Sequence, residues 1–140
     1  MPFVTHLECA NCGDRYAAGE VHNLCTACGK PLWVRYDLEA VQRRLSKQTL
    51  VDRPSSLWRF LELLPVADPA HIVSLGETVT PILAAPRLAE HFGMSELLIK
   101  DESRLPTGSF KARGMALAVT MANQFGLKKM AVPSAGNAGG

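Results

Sequence analysis

Pro106-Thr107-Gly108-Ser109-Phe110-Lys111-Ala112-Arg113-Gly114 is the run on which the fold turns, together with a second small-residue loop, Pro133-Ser134-Ala135-Gly136-Asn137-Ala138-Gly139-Gly140. The pattern around them reads strand, helix, strand. Glu96-Leu97-Leu98-Ile99-Lys100 is a brief apolar run between polar residues and predicts a short buried strand. Asp101 to Gly108 carries Asp, Ser, Pro and Gly and reads as a loop. Ser109 suits the N-cap of a helix from about Phe110 to Gln124. Phe110, Gly114, Leu117 and Met121 share one stripe of that helix, and Gly126 suits its stop. Lys129-Met130-Ala131-Val132 predicts the next strand, which completes the length of a βαβ unit.

A right-handed crossover between parallel strands puts both carboxyl ends on one sheet edge, where open α/β sheets bind ligands. Lys111 and Asn137 are therefore expected to face one cleft. The positive end of a helix and removal from water both favour the neutral form of an amine. A lysine at that place is suited to hold an aldehyde cofactor as a Schiff base. Gly136, Gly139 and Gly140 allow close backbone approach, and free N–H groups there can grip a carboxylate. A lone lysine in a first turn is usually only solvated, and a lone glycine loop serves a nucleotide phosphate equally well. It is the pair that points to this chemistry.

These residues resemble the threonine synthase family, fold-type II enzymes that use pyridoxal phosphate. The resemblance rests on Ser74-Leu75-Gly76-Glu77, Thr80-Pro81, Lys100-Asp101-Glu102, the Pro106–Gly114 run and Pro133–Ala138, in that order, and extends over nearly the whole chain. It implies that Lys111 carries the cofactor and acts as general base, and that Asn137 bonds the pyridine 3′-oxygen. It also implies that Phe110 and Ser109 shape the pocket, and that Ser134, Ala135, Gly136 and Asn137 receive the substrate, Ser134 through its hydroxyl. The implied reaction turns O-phosphohomoserine and water into threonine and phosphate. Leu105 stands where the family usually has Asn, and Thr78 where it usually has Gly. Related readings are a threonine dehydratase or a sulfur amino acid synthase, and a catalytically dead relative kept as a regulator.

All four cysteines lie in one window, as Cys9-Ala10-Asn11-Cys12 and Cys25-Thr26-Ala27-Cys28, each pair followed by glycine. Two Cys-x-x-Cys knuckles about a dozen residues apart match a four-thiolate zinc site, which is structural because the protein fills every position. Two disulfides would need an oxidising compartment. The start Met1-Pro2-Phe3-Val4-Thr5-His6 lacks the basic stretch and apolar core of a secretory signal. His6 and His22 lie close by but read as surface residues. Some threonine synthases resemble this chain in carrying such a module.

The chain has 140 residues and a net charge of +2 from 15 basic and 13 acidic side chains. That balance argues against broad nucleic-acid binding, the rival reading in which the knuckles and the Arg43-Arg44 helix form a zinc-ribbon binding module. No run approaches a membrane span. The expected setting is cytoplasmic, the expected partner a small amino-acid substrate, with a homodimer implied by the family.

Three zones are expected: a zinc-ribbon-like module over 1–36, a helical bridge over 37–72, and the start of a pyridoxal phosphate-binding α/β domain over 73–140. In the bridge, Asp37 suits the cap of a helix bearing Leu38, Val41 and Leu45. Ser55 or Ser56 suits the cap of a short helix bearing Trp58, Leu61 and Leu64, ended by Pro65. Pro81-Ile82-Leu83 predicts an edge strand, and Pro86 to Phe92 a helix closed by Gly93. The fold class is α/β, an open, mostly parallel sheet with flanking helices. The third zone reads as unfinished, since the family's cofactor-phosphate loop and the hydroxyl that meets the pyridine nitrogen lie outside it. The chain is therefore expected to be the N-terminal piece of a longer enzyme, inactive alone and prone to associate through exposed apolar surface.

Overall fold

The computed structural model describes residues 3–139. Gly140, read above as a close-approach glycine, lies outside the described residues, as do Met1 and Pro2 of the start. The chain begins with three short strands, β1 (Val4–Cys9), β2 (Arg15–Tyr16) and β3 (Leu32–Tyr36). They form an antiparallel sheet in the order β2-β1-β3, with Leu7 opposite both Tyr16 and Val34. Strand alternation puts Val34 and Leu7 on one face and Glu8 and Trp33 on the other. The outer face is held by Arg35, which donates from Nε to Glu8 Oε1 at 3.0 Å and lies 4.9 Å from the Trp33 ring centre. The inner face looks across a cavity of about 640 Å³ to Ala118, Met121 and Phe125.

Two helices follow, α1 (Leu38–Arg44) and α2 (Lys47–Val51). Asp37 caps α1 by accepting from the Ala40 N–H at 2.8 Å, and Val41 is its buried residue. Ser46 and Thr49 close a reciprocal capping box at the start of α2. A 3₁₀ helix (Leu57–Leu63) carries Trp58 and Leu61. Ser56 precedes it without a side-chain cap bond. A second 3₁₀ turn (Pro69–His71) leads into the remaining elements, β4 (Ile82–Ala84), α3 (Pro86–His91), β5 (Leu98–Lys100) and α4 (Lys111–Gln124).

The expected parallel arrangement is not what these residues form. β4 and β5 pair antiparallel, with Leu83 opposite Ile99, and residues 129–132 run without a strand partner. Both sheets among the described residues are antiparallel. Parallel sheets form where helices cover both faces, and here Leu98, Ile99, Met130 and Val132 are all exposed. A short antiparallel pairing needs no such cover, and β4 pairs with β5 although α3 lies between them in sequence. The α/β content stands; the parallel crossover does not appear in this stretch.

The helix α4 begins at Lys111, one residue after the expected start, and Gly126 follows it with φ +69°. Its buried stripe is Ala112, Ala116 and Thr120, not the expected Phe110, Gly114, Leu117 and Met121, of which Phe110 and Gly114 are exposed. Small side chains let the 67–73 segment approach the helix closely. Gln124 Oε1 accepts from the Ala67 N–H at 2.7 Å, Asn123 Nδ2 donates to the His71 carbonyl at 3.0 Å, and Thr120 Oγ1 accepts from the Val73 N–H at 3.0 Å. Polar bonds to backbone thus hold residues 67–73 against the helix. Among the described residues, no helix is long and apolar enough to cross a membrane.

Thr120 is fully buried, and its hydroxyl also donates to the Val73 carbonyl. Replacing it with Val keeps the shape and orphans both backbone groups. The Thr120→Val variant of the intact protein should lose about 1–3 kcal/mol, seen as a lower urea midpoint with an unchanged slope.

Candidate active site and metal centre

The lysine motif leaves β5 through a 3₁₀ turn (Glu102–Arg104). Leu105, the departure from the family pattern, is buried, and its carbonyl accepts from the Gly108 N–H at 2.8 Å. Gly108 sits at φ +66°, so the tight turn ahead of the helix needs a residue without Cβ. Ser109 Oγ then accepts from the Lys111 N–H at 3.1 Å. This satisfies one of the free donors at the start of α4, although the helix boundary itself falls on Phe110.

The second loop closes on itself. Ser134 Oγ accepts from the N–H groups of Gly136 and Ala138 at 3.1 and 3.3 Å and donates to the Gly136 carbonyl. The hydroxyl expected to meet substrate is therefore turned inward. Ala135, Gly136 and Asn137 are exposed. The two loops meet around a cavity of about 500 Å³ lined by Thr107 and Ala112 on one side and Ala138 and Gly139 on the other, with Glu77 and Leu75 between. Thr107 Oγ1 is buried on that wall with no hydrogen-bond partner. An orphaned hydroxyl where two small-residue loops converge fits a polar ligand group. Lys111 and Phe110 are exposed beside this cavity rather than enclosed by it, and no hydrogen bond joins Lys111 to Asn137 among the described residues. The burial expected of Lys111 is thus not supplied here.

The feature that sequence reading left without a role is a carboxylate hub. Glu102 accepts from Arg113 Nε at 2.7 Å and Nη2 at 3.0 Å, and from the Thr80 hydroxyl. Arg113 also donates to the Thr78 carbonyl at 2.9 Å, and Lys100 Nζ to the Thr80 carbonyl at 3.2 Å. Arg113 and then Thr80 pull the Glu102 carboxyl down to about 2. Beside the hub, the buried Glu77 accepts from the Ser74 hydroxyl at 2.5 Å and the Leu75 N–H at 3.0 Å, so Ser74-Leu75-Gly76-Glu77 is a self-closed turn. These connections show only when the turn after β5 and the start of α4 come together.

The four cysteines form one cluster whose sulfurs lie within 4.8 Å of one another, and none is in a disulfide. Cys9 to Cys28 is 3.4 Å, Cys12 to Cys25 is 3.5 Å and Cys12 to Cys28 is 3.7 Å. Bonds of about 2.3 Å in a tetrahedron place sulfurs about 3.8 Å apart, so the donor set fits zinc. The Asn11 and Cys12 N–H groups aim at Cys9 Sγ at 3.4 and 3.5 Å. Gly13 and Gly29, at φ +78° and +68°, make this turn possible in both knuckles. The Tyr16 hydroxyl donates to Cys25 Sγ at 3.2 Å while accepting from the Thr26 N–H at 3.0 Å. That hydroxyl, with the Cys28 and Ala27 N–H groups, lowers Cys25 to about 6 against the opposing effect of burial. His22 instead reaches the Ala17 carbonyl, and His6 faces Glu8.

Residues 73–140 match the family of pyridoxal-phosphate dependent enzymes. The chain is similar to threonine synthases. It is 41% identical over 130 residues to the one from Methanocaldococcus jannaschii, covering 93% of this chain and 32% of the relative. It is 38% identical over 132 residues to that of Methanosarcina acetivorans, covering 94% and 32%. Against that of Mycobacterium leprae it is 43% identical over 84 residues, covering 60% and 23%. The chain therefore spans about a third of the length of the first two relatives. No solved structure matches it.

The low Glu102 pKa makes its contribution to stability depend on pH. Its carboxyl lies near 2 in the folded protein against an ordinary 4.5, so its contribution is complete above pH 4.5 and fades as pH falls toward 2. Glu102→Gln should flatten the fall in stability across that window and leave the stretch above it parallel to the wild type. Urea midpoints measured from pH 6 to pH 2 would check this.

Proposed function

We propose that the intact protein is a threonine synthase, converting O-phosphohomoserine and water to threonine and phosphate with pyridoxal phosphate. The observation that supports this most is 41% identity over 93% of the chain, in an alignment that takes in most of a chain whose lysine and glycine-asparagine loops line one cavity. Lys111 would hold the cofactor and, once freed by substrate, take the Cα proton through Nζ. Asn137 would hold the ring oxygen, and Phe110 would pack against the bound group. When bound, pyridoxal phosphate supplies a ring that accepts the electron density left at Cα. Ser134, Ala135, Gly136 and Asn137 would receive the substrate. For the Gly136 and Ala138 N–H groups to reach a carboxylate, Ser134 Oγ must first give them up.

The same reading treats the chain as three zones, 1–36, 37–72 and 73–140, with the third as the start of a fold-type II α/β domain. The apolar side chains Leu75, Ile82, Leu98 and Phe110 are exposed here and would be covered in the intact protein. Cys9, Cys12, Cys25 and Cys28 would hold a zinc ion in a zinc-ribbon-like module. With four protein sulfurs around it, that ion has no open position for substrate and serves the fold. Unpaired cysteines suit a reducing, cytoplasmic setting.

Lys111→Ala in the intact protein should abolish the visible absorbance of bound cofactor and reduce phosphate release by at least about a thousandfold. Retention of both would rule Lys111 out, while ketoacid production from threonine or serine, without phosphate release from O-phosphohomoserine, would favour a dehydratase. For the metal, purified protein should contain one zinc per chain. Protons compete for thiolates, so chelator should strip that zinc faster as pH falls. Cys25→Ser should lower its zinc content, measured by elemental analysis.

A further inference from the structure

We infer that Glu102 and Arg113 are positioning residues for Lys111, a clamp that sets the direction in which the first turn of α4 presents its amine; this rests on reading Lys111 as the cofactor lysine. The helix start is otherwise weakly held. Phe110, at its boundary, makes no side-chain cap bond, and Ser109 Oγ satisfies the Lys111 N–H. The next two N–H groups, of Ala112 and Arg113, reach back only three residues, to the Ser109 and Phe110 carbonyls, both at 3.2 Å. Bonds that reach back three residues have poorer geometry than those of the helix interior and hold the turn less firmly.

Arg113 holds it from outside. Its guanidinium takes both Glu102 oxygens in a fork and the Thr78 carbonyl besides. The fork geometry restricts rotation as well as distance, which a lysine ammonium would not do. Glu102 is itself fixed from the other side by the Thr80 hydroxyl, with Lys100 Nζ at 3.9 Å. The β5 strand end, the Thr78–Thr80 segment and α4 are thus tied through one carboxylate. Residues two apart on a helix point about 200° from each other, so a clamp on Arg113 grips one side of the turn and leaves Lys111 clear on the other. Both side chains are about one quarter exposed, at 24% and 23%. The pair lies at the surface of a turn.

The test uses the intact protein, freed of cofactor and mixed with pyridoxal phosphate, with covalent capture followed by absorbance and by borohydride trapping. Arg113→Met should slow capture and lower kcat by about ten- to a hundredfold with KM changed less than about threefold, the effect expected of a misplaced reacting group. Arg113→Lys should recover only a small part, because it restores charge without the fork. Glu102→Gln, which keeps the shape, should show the same direction with a smaller loss and serves if Arg113→Met does not fold. Melting temperatures of the variants that fold should not rank with their capture rates. Capture within about twofold of wild type in Arg113→Met, or losses that simply follow melting temperature, would overturn the clamp. Lys111→Ala run alongside separates the two ideas: wild-type trapping there overturns the Lys111 reading and the clamp with it, whereas trapping lost there but normal in Arg113→Met overturns the clamp alone.

Discussion

An ionised carboxylate with donors on every side is what the second half of this chain is organised around. Glu102 takes hydrogen bonds from α4 and from the segment before β4, and opens the 3₁₀ turn that follows β5. A charge that is three-quarters removed from water must be matched by donors, and each donor here comes from a different stretch of sequence. Because the partners cannot be satisfied separately, the stretches are brought together. The buried Glu77 repeats the logic on a smaller scale, using its own turn. Two acidic side chains thus do the organising that apolar burial does in a thicker core.

Elsewhere the same preference for polar docking recurs. The bridge is laid on α4 by Thr120, Asn123 and Gln124, each bonded to backbone of residues 67–73. The helix face beneath is alanine, which allows contact but supplies little area. Directional bonds therefore carry much of the positional information. This explains why the observed stripe of α4 is displaced from the one its larger apolar residues suggested. Leu117, Met121 and Phe110 are the residues a hydrophobicity pattern finds first, yet close approach selects the small ones.

The thiol cluster is held by a different means. Backbone N–H groups at Cys9 and a tyrosine hydroxyl at Cys25 stabilise negative sulfur before any cation is considered. Tyr16 comes from β2, so the small sheet and the two knuckles share a support. Groups that orient ligands in this way are commonly as important to a metal site as the ligands themselves. Nothing in the cysteine spacing points to Tyr16, since its hydroxyl enters from a strand whose pairing with β1 places it.

Some of this protein was legible in its residues alone. The Cys-x-x-Cys pairs, the helix after Lys111, the capping of α1 by Asp37 and the stops at Gly93 and Gly126 depend on neighbours within a few positions, and local geometry decides them. The family was legible because Lys111 and the Gly136-Asn137 loop are contiguous motifs. The antiparallel pairing of β4 with β5, the inward turn of Ser134, the orphaned Thr107 hydroxyl and the partners of Glu102 were not legible. Each is a choice among partners distant in sequence or among competing bonds of similar strength, and only the assembled chain decides which donor reaches which acceptor.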